Sequence, residues 1–410
     1  MTIELRGLRS EDWDSWYGAV IRAFGGVPEE PAEEARWRSL VEFERGIAAV
    51  DGTEIVGTAS TFSFRVTVPG GALVPAAGLT LVSVAATHRR RGVLRSMMRR
   101  QLDAVHEAGE PLAVLTASEP AIYGRFGYGV ATQELRATVD TDRVELRTPP
   151  GTDDVRVRWA DPAKSLARCE ELYARLVPTR PGRLERISHT WAEDQIADPE
   201  SGRKGASPLM CVLAERDGEL VGYARYSVTP DWDDAGPRGT VNVRDLEALD
   251  PAADAALWRF LAGIDLTSRI ETGARPLDDP WQYLVSDPRR CNRRLRDGLY
   301  LRPVDVGAAL AARSYARPVD VVLDVGDDFC PWNTGRWRLA GDTAGAVCER
   351  TDAPADLALT VRELGSAYLG GEPLYALAAA GRVRELRAGA LEAASTAFSA
   401  SRAPWLPHGF

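Results

Sequence analysis

The chain has 410 residues, of which 45% are hydrophobic and 11 are tryptophan, and its formal net charge is −9 at pH 7. A chain of this length exceeds one ordinary core and favours two or three domains, while its apolar content excludes a disordered protein. The negative charge, with arginines spread among acidic residues, argues against a nucleic-acid-binding surface.

A cytoplasmic protein without a membrane span is expected. The start of the chain is charged and lacks the apolar segment of a signal peptide, and no run approaches the ~20 apolar residues that cross a bilayer. The five cysteines lie far apart without a Cys-x-x-Cys pair, which disfavours a disulfide scaffold or a zinc site. Export by a route that needs no signal peptide stays open.

Residues 1–148 predict an α+β domain with a mostly antiparallel sheet. Strong turn signals at 51–52 (DG) and 69–71 (PGG) indicate a β-meander. Residues 148–151 (TPPG) mark the first boundary, after a strand-like region at 135–139. Before the meander we expect a strand at 2–6 and helices at 11–24 and 31–44.

Residues 82–95 combine a β-branched run, three arginines, a glycine and an amphipathic helix. Because Gly92 lacks a Cβ, the backbone that follows it can approach phosphate oxygens closely, and the arginines supply cations. The loop predicts a pyrophosphate site, with a solvated basic helix cap as the alternative. It is neither a Walker A loop nor a dinucleotide fingerprint, which disfavours nucleotide hydrolysis and hydride transfer.

Two segments resemble the GCN5-related acetyltransferases (GNAT), and specifically the enhanced-intracellular-survival (Eis) family. The GNAT loop reads Arg/Gln-x-x-Gly-x-Gly/Ala. Residues 89–94 (RRRGVL) satisfy all but its last place, and Arg-Arg-Arg-Gly followed by two aliphatics is similar to the Eis proteins. Residues 122–129 (IYGRFGYG) resemble the family's segment almost letter for letter, and 35–38 (ARWR) resemble its Ala-Trp-Arg pattern in outline.

The resemblance implies acetyl-CoA as the co-substrate and no metal. It also implies that the strand before the loop offers backbone groups to the pantetheine arm, with an N–H near Val84 as the oxyanion donor. The residues expected to hold the coenzyme are Val82, Ser83, Val84, Arg89, Arg90, Arg91, Gly92, Val93, Leu94 and Ser118.

Tyr123 is the expected general acid, because a phenol with pKa ~10 is protonated at neutral pH and can protonate a thiolate. A packing tyrosine is the alternative, and Tyr128 suits that alternative better. None of the four histidines has a partner visible in the sequence. In Eis proteins the base is the carboxylate of a terminal phenylalanine, which would be Phe410, with Glu119 as the second candidate.

The expected acceptor is a polyamine, because aromatic walls and carboxylates can hold a cation. The family lines its pocket near Phe24 and Trp37, whereas the glutamates at 29–34 are more typical of a solvated helix face. Aminoglycosides are the leading acceptor class and lysine side chains the second. A non-catalytic lipid- or protein-binding chain is the remaining alternative. The family also implies a homo-oligomer, namely a hexamer.

An internal repeat and a third segment complete the chain. Residues 51–57 (DGTEIVG) recur as 217–222 (DGELVG), and a strand and a helix follow each copy. Where the first copy has RRRG, the second has 250–254 (DPAAD), which predicts a degenerate GNAT-like domain at 149–300 without coenzyme. Residues 301–410 predict a small α+β domain, whose 365–370 (GSAYLG) resembles the sterol-carrier-protein-like C-terminal domain of Eis proteins.

Overall fold

The computed structural model describes residues 3–410. The first third contains β1 (Glu4–Gly7), α1 (Trp13–Ala23), α2 (Pro31–Leu40), β2 (Ile47–Asp51), β3 (Glu54–Thr67), β4 (Leu73–Val84), α3 (Val93–Glu107), β5 (Leu112–Thr116), β6 (Gly129–Val130) and β7 (Gln133–Asp140). The middle third contains β8 (Arg156–Ala160), α4 (Pro162–Leu176), α5 (His189–Asp194), β9 (Met210–Arg216), β10 (Glu219–Thr229), β11 (Trp232–Asp233), β12 (Gly236–Pro237), β13 (Gly239–Ala248), α6 (Pro251–Ala262), β14 (Thr267–Glu271), α7 (Trp281–Leu284) and β15 (Arg293–Asp297). The last part contains β16 (Leu299–Pro303), α8 (Val306–Ala311), β17 (Val319–Gly326), β18 (Gly335–Asp342), β19 (Gly345–Arg350), β20 (Leu357–Thr360), α9 (Val361–Ala367), α10 (Leu374–Ala379), β21 (Val383–Glu385) and α11 (Ala390–Phe398).

The first sheet has the strand order β1-β2-β3-β4-β5-β16-β6 and is antiparallel except where β4 pairs with β5. Both predicted turns are present, since Asp51-Gly52 leads from β2 to β3 and the glycine turn at 69–71 leads from β3 to β4. The predicted helix at 31–44 ends earlier, at Leu40, because the backbone becomes extended at Val41.

The second sheet repeats this design with the order β15-β7-β14-β13-β10-β9-β8. The β9–β10 hairpin carries the second copy of the repeated segment, and α6 follows β13 as α3 follows β4. The single parallel pair recurs as β13 with β14. The prediction of a repeated fold is therefore confirmed at the level of strand order and helix position.

One antiparallel ribbon joins the two sheets. β6 pairs with β16 in the first sheet, and β7 pairs with β15 in the second. Between these pairs the Ala131 amide donates to the Leu299 carbonyl at 2.8 Å, so the ribbon is continuous. From its position before residue 148, the strand near 135–139 was expected in the first sheet. It lies instead in the second sheet, as β7. An alternating pattern predicts a strand but does not name its partner.

The third sheet has the order β19-β18-β17-β20-β21 and packs with α8 to α11. After α11 the chain leaves this sheet and returns between the other two. The Trp405 amide donates to the Pro181 carbonyl at 2.9 Å, and the Phe410 ring lies 4.8 Å from the ring of Phe64 in β3. The last residue of the third segment therefore lies against the first sheet. Within residues 3–410, the helices are all too short or too polar to cross a membrane.

Candidate active site

The central strands of the first sheet separate beyond a short parallel pairing. β4 pairs with β5 only over residues 76–78, opposite residues 112–114. Past this point Leu81 has φ +51°, and a bulge between Thr58 and Ser60 shifts the register with β3. A bulge increases local twist and turns a strand away from its neighbour. On the side of β5, the backbone of residues 82–84 therefore has no strand partner among residues 3–410, which is the geometry expected for a pantetheine arm.

The loop that follows β4 ends at an open helix N-terminus. Gly92 is the N-cap of α3 with φ +84°, and no side chain among residues 3–410 caps the helix. A Cβ at this glycine would meet no atom within 4 Å, so the approach to the first helical amides is free. Arg89, Arg90 and Arg91 are exposed beside it. Free amides, the positive end of the helix dipole and three guanidinium groups fit a pyrophosphate.

Side chains around this loop divide between the core and the cleft. Val93 is buried and Leu94 half-buried against the first sheet, so both anchor the start of α3. Ser83 is buried and its hydroxyl lies 2.7 Å from that of Thr58, so it offers its backbone and not its side chain. Ser118 is exposed just after β5.

Tyr123 lies in a 3-10 turn over Pro120–Phe126, directly after β5. Its ring is half-buried in the cluster that includes Val82 and Val84, and its centroid is 6.2 Å from that of Tyr128. Burial, reinforced by the nearby carboxylate of Glu119, raises the pKa of Tyr123 to about 12. The phenol therefore stays protonated at neutral pH and can act only as a proton donor.

Tyr128 differs from Tyr123 in its surroundings. It is fully buried, and among residues 3–410 no group hydrogen-bonds its hydroxyl. Burial raises its pKa above the usual value of a tyrosine. The ring of Tyr128 thus belongs to the core, as predicted for a packing tyrosine, but its hydroxyl has no hydrogen-bond partner within residues 3–410.

The carboxyl end of the chain lies beside the end of β5. A carboxylate oxygen of Phe410 accepts a hydrogen bond from the Thr116 hydroxyl at 3.3 Å. A Cβ on Gly78, the last residue of β4 that pairs with β5, would lie 3.2 Å from the Phe410 ring. The carboxylate is therefore held at the point where β4 and β5 separate. Glu119 is exposed a few residues beyond.

Aromatic side chains border this position. Trp191 from α5 meets Phe62 and Phe64 with ring centroids 5.0 and 5.1 Å apart. Trp37 is half-buried against the same hydrophobic cluster as Phe410, whereas Phe24 is 60% exposed at the end of α1. Sequence reasoning did not find Thr116 or Trp191, because neither lies in a motif and both act through contacts distant in sequence.

The glutamates near α2 have structural partners. Trp13 donates from its indole nitrogen to Glu34 at 3.0 Å, and Tyr17 donates a hydrogen bond to Glu29. The Ser201 amide donates to Glu30 at 2.9 Å. These carboxylates therefore hold α1, α2 and the second domain together. They are thus not a freely solvated face.

The histidines also have local roles. His88 places Nε2 3.2 Å from Asp51, a partner that the sequence did not reveal, and His106 stacks on Trp332 at 4.4 Å. His189 is exposed. The Nε2 atom of His408 is buried, and burial lowers its pKa to about 3. Among residues 3–410, no three His, Cys, Asp or Glu side chains group as metal ligands would.

The corresponding cleft of the second sheet is closed. Asp250 caps α6 by accepting from the Ala252 and Ala253 amides at 3.0 Å, so its carboxylate occupies the helix N-terminus. Beyond the β13–β14 pairing, the buried Arg275 donates to the Leu246 carbonyl at 2.8 Å. Its guanidinium thus occupies the backbone position that the first cleft leaves open.

Comparison with known proteins agrees with this geometry. Residues 4–131 and 182–303 each match the family described as an acetyltransferase (GNAT) domain, and residues 306–407 match the sterol carrier protein domain. An uncharacterized N-acetyltransferase of Streptomyces avermitilis is 65% identical over 410 residues, which cover 100% of each chain. N-acetyltransferase Eis of Mycobacterium tuberculosis is 36% identical over 395 residues, which cover 94% of each chain. The crystal structure of Eis1 from Mycobacterium abscessus has a TM-score of 0.84 at 33% identity, with 100% of both chains covered.

Two GNAT domains followed by a sterol-carrier-protein domain define the class of this protein as a tandem GNAT N-acetyltransferase, which confirms the predicted α+β fold class. The identity to the mycobacterial proteins extends over nearly the whole chain and therefore covers all three domains. The chain belongs to the Eis family of N-acetyltransferases.

Proposed function

We propose that this N-acetyltransferase uses acetyl-CoA to acetylate amines of polycationic acceptors, with aminoglycosides as the leading class. The observation that carries the proposal is the position of the Phe410 carboxylate. It is bonded to Thr116 at 3.3 Å, where the two central strands separate and just before the turn that holds Tyr123. A proton acceptor and a proton donor thus follow the same strand end.

The coenzyme supplies the acetyl thioester. Gly92, Val93 and Leu94, with Arg89 to Arg91, are proposed to hold its pyrophosphate, and the backbone of Val82, Ser83 and Val84 to hold its pantetheine arm beside Ser118. The supporting observations are the uncapped N-terminus of α3 and the unpaired edge of β4 within residues 3–410. A backbone amide near Val84 would stabilise negative charge on the thioester oxygen.

As the C–N bond forms, the nitrogen of an ammonium acceptor loses two protons, and as the C–S bond breaks, the sulfur of the coenzyme gains one. An alkylammonium acceptor with pKa ~10 must lose a proton before it attacks. We propose that the carboxylate of Phe410 accepts this proton before the attack. The phenol of Tyr123 then protonates the departing sulfur and regains a proton as the acylated nitrogen loses its second one, so that one proton is released per turnover. The raised pKa of Tyr123, about 12, keeps the phenol proton in place until the sulfur needs it.

The acceptor is proposed to lie between Phe24 and Trp37 at the end of the cleft. Trp37 is half-buried and Phe24 is 60% exposed, so one ring can form a wall and the other can move to meet a ligand. Tryptophan and phenylalanine faces attract cations by about 0.5–2 kcal/mol. Assembly into a hexamer is part of the same proposal.

A thiol-release assay with acetyl-CoA tests the acceptor class. We expect turnover with an aminoglycoside and with spermidine, and weaker turnover with a peptide that carries one lysine. Mass spectrometry of the products counts the acetyl groups. Turnover with the peptide alone would replace aminoglycosides by protein lysines as the acceptor. The Trp37→Ala variant tests the proposed acceptor position. It should lose acceptor affinity while its affinity for acetyl-CoA stays unchanged.

A further inference from the structure

A buried ion pair links the third domain to the turn that carries Tyr123. Arg302 in β16 is fully buried, and its Nη2 lies 2.5 Å from Oδ2 of Asp327, which is also buried. Its other terminal nitrogen, Nη1, donates to the carbonyl of Phe126. Gly127 follows with φ +83°, and a Cβ there would lie 1.8 Å from Nη1 of Arg302. The turn therefore closes directly onto the guanidinium.

Asp327 is itself held rigidly. Its Oδ1 accepts from the Cys330 amide at 2.9 Å and from the Phe329 amide at 3.2 Å. Its Oδ2 also accepts from the side-chain amide of Asn333 at 3.0 Å. A carboxylate with these partners has one orientation, and it transmits that orientation to Arg302.

The third-domain loop at 327–333, which carries Asp327, also contacts α3, the helix that follows the arginine loop (residues 89–92). The Phe329 ring meets Phe126 with centroids 5.0 Å apart, and the guanidinium carbon of Arg99 in α3 lies 4.1 Å from the Phe329 centroid. Trp332 stacks on His106 at the far end of α3, at 4.4 Å. The loop at 327–333 thus contacts both the turn that carries Tyr123 and α3, which follows the proposed pyrophosphate loop.

We propose that Asp327 is a positioning residue for Tyr123, which it fixes through Arg302 and the Phe126 carbonyl. This inference rests on the proposed role of Tyr123 as the proton donor. It gives the sterol-carrier-protein domain a part in acetyl transfer that is separate from the chain end at Phe410. A misplacement of about 1 Å in a reacting group can cost ~10²-fold in rate.

A double-mutant cycle tests the inference with the full-length protein. Asp327→Asn removes the charge and keeps the shape. We expect it to lower kcat by about 10- to 10²-fold and to leave the dissociation constant of acetyl-CoA, measured by calorimetry, within about twofold. In a Tyr123→Phe background the same substitution should cause no further fall in kcat, because the group that it positions is gone. Asp320→Asn, which removes an exposed partner of Arg338 in the same domain, is the matched control.

An equal fall of kcat in both backgrounds, or none in either, overturns the inference. Arg302→Lys serves as the second variant if Asp327→Asn unfolds below the assay temperature. It keeps the positive charge and loses the fork that reaches two partners, so the same dependence on Tyr123 is expected. Tyr123→Phe measured alone separates the two claims. Full activity there refutes the proposed proton donor, whereas a slow Tyr123→Phe with an unaffected Asp327→Asn refutes only the positioning role.

Discussion

The residue at the N-cap distinguishes a helix N-terminus that is open to an anion from one that is not. α3 and α6 follow equivalent strands in the two repeats, yet Gly92 leaves the first helix uncapped while Asp250 closes the second. Helix amides that already bond a carboxylate are not free for a phosphate, and the charge of that carboxylate repels one.

Gly92→Asp should therefore abolish acetyl-CoA binding. The new carboxylate would lie at the N-terminus of α3, where it would repel the pyrophosphate and obstruct its approach to the helix amides. Calorimetry of the folded variant provides the measurement. Gly109→Asp is the matched control, since Gly109 also has a positive φ, +70°, and open space around it, but lies at the other end of α3. Unchanged affinity in Gly92→Asp would exclude this loop as the coenzyme site.

Tyr123→Phe should fold, bind acetyl-CoA and turn over about 10²–10⁴-fold more slowly, as expected when a general acid is lost. Tyr128→Phe should be milder, because its buried hydroxyl has no partner within residues 3–410 and its removal relieves an unpaired polar group. Steady-state kcat for the two variants gives the comparison. The reverse order of effects would transfer the acid role to Tyr128.

Because the pKa of Tyr123 is raised to about 12, its ionisation should not limit activity between pH 6 and 10. A decline of kcat in that range that disappears in Tyr123→Phe would contradict the assignment. The pH–rate profile of the wild type and of this variant, measured with saturating substrates, makes the test.

At the scale of elements, the tail after α11 (residues 399–410) brings the chain end to the proposed site. It carries the chain end from the third sheet into the first, where Thr116 holds the Phe410 carboxylate. Along the way His408 packs near Tyr173 of α4, with ring centroids 6.3 Å apart. The tail is thus both a packing element between domains and the support of the proposed base.

An extension of the chain beyond Phe410 should nearly abolish turnover and spare acetyl-CoA binding. Extension converts the carboxylate into a neutral amide and moves the new charge away from Thr116. Thiol release and calorimetry on the protein with two added glycines measure the two effects, and the same glycines added before Met1 serve as the control. Full turnover of the extended protein would leave Glu119 or a water as the base.

The tail should also make stability depend on pH. The pKa of His408 is about 3 in the folded protein and ~6.5 when unfolded, so the unfolded chain binds the extra proton between these values. Neutral His408 therefore costs no stability above pH ~6.5. As the pH falls from ~6.5 towards 3, the free energy of unfolding decreases by at most about 1.4 kcal/mol per pH unit. Melting curves at pH 7 and 5 should show a smaller loss in His408→Gln than in the wild type. His189→Gln, at an exposed site, should behave as the wild type.

At the scale of the whole protein, a continuous antiparallel ribbon joins the two repeats. The N-terminus of the helix is uncapped in the first repeat and capped by Asp250 in the second. β6 and β16 belong to one sheet, and β7 and β15 extend them into the other. The division of the chain at residues 148 and 300 stays a prediction, and the ribbon crosses it in both directions. Arg275 and Asp250 occupy in the second repeat the places that the first leaves free.

One molecule of acetyl-CoA should therefore bind per chain. Isothermal titration of the wild type gives the number of sites, and Gly92→Asp should reduce it from one to zero. A stoichiometry of two would mean that the second repeat opens to receive a ligand, against the two contacts that close it.

The features that depend on local chemistry can be predicted from the sequence. Glycine turns, the arginine loop before α3, the repeated hairpin and the Tyr123 segment are read from neighbouring residues, and the family resemblance drawn from them is confirmed. The roles of the site residues stay predictions. Acid in place of base at 250–254 predicted a second copy without coenzyme, and this also stays a prediction.

Which distant elements come into contact is seen first in the folded protein. An alternating strand does not specify its partner, so the placement of β7 in the second sheet and β16 in the first could not be read from the chain. The contacts of Phe410 with Thr116, of Trp191 with Phe64, and of Asp327 with Arg302 join residues with no shared motif. Such contacts are set by the packing of three domains, because burial and charge pairing act in space and leave no period in the sequence.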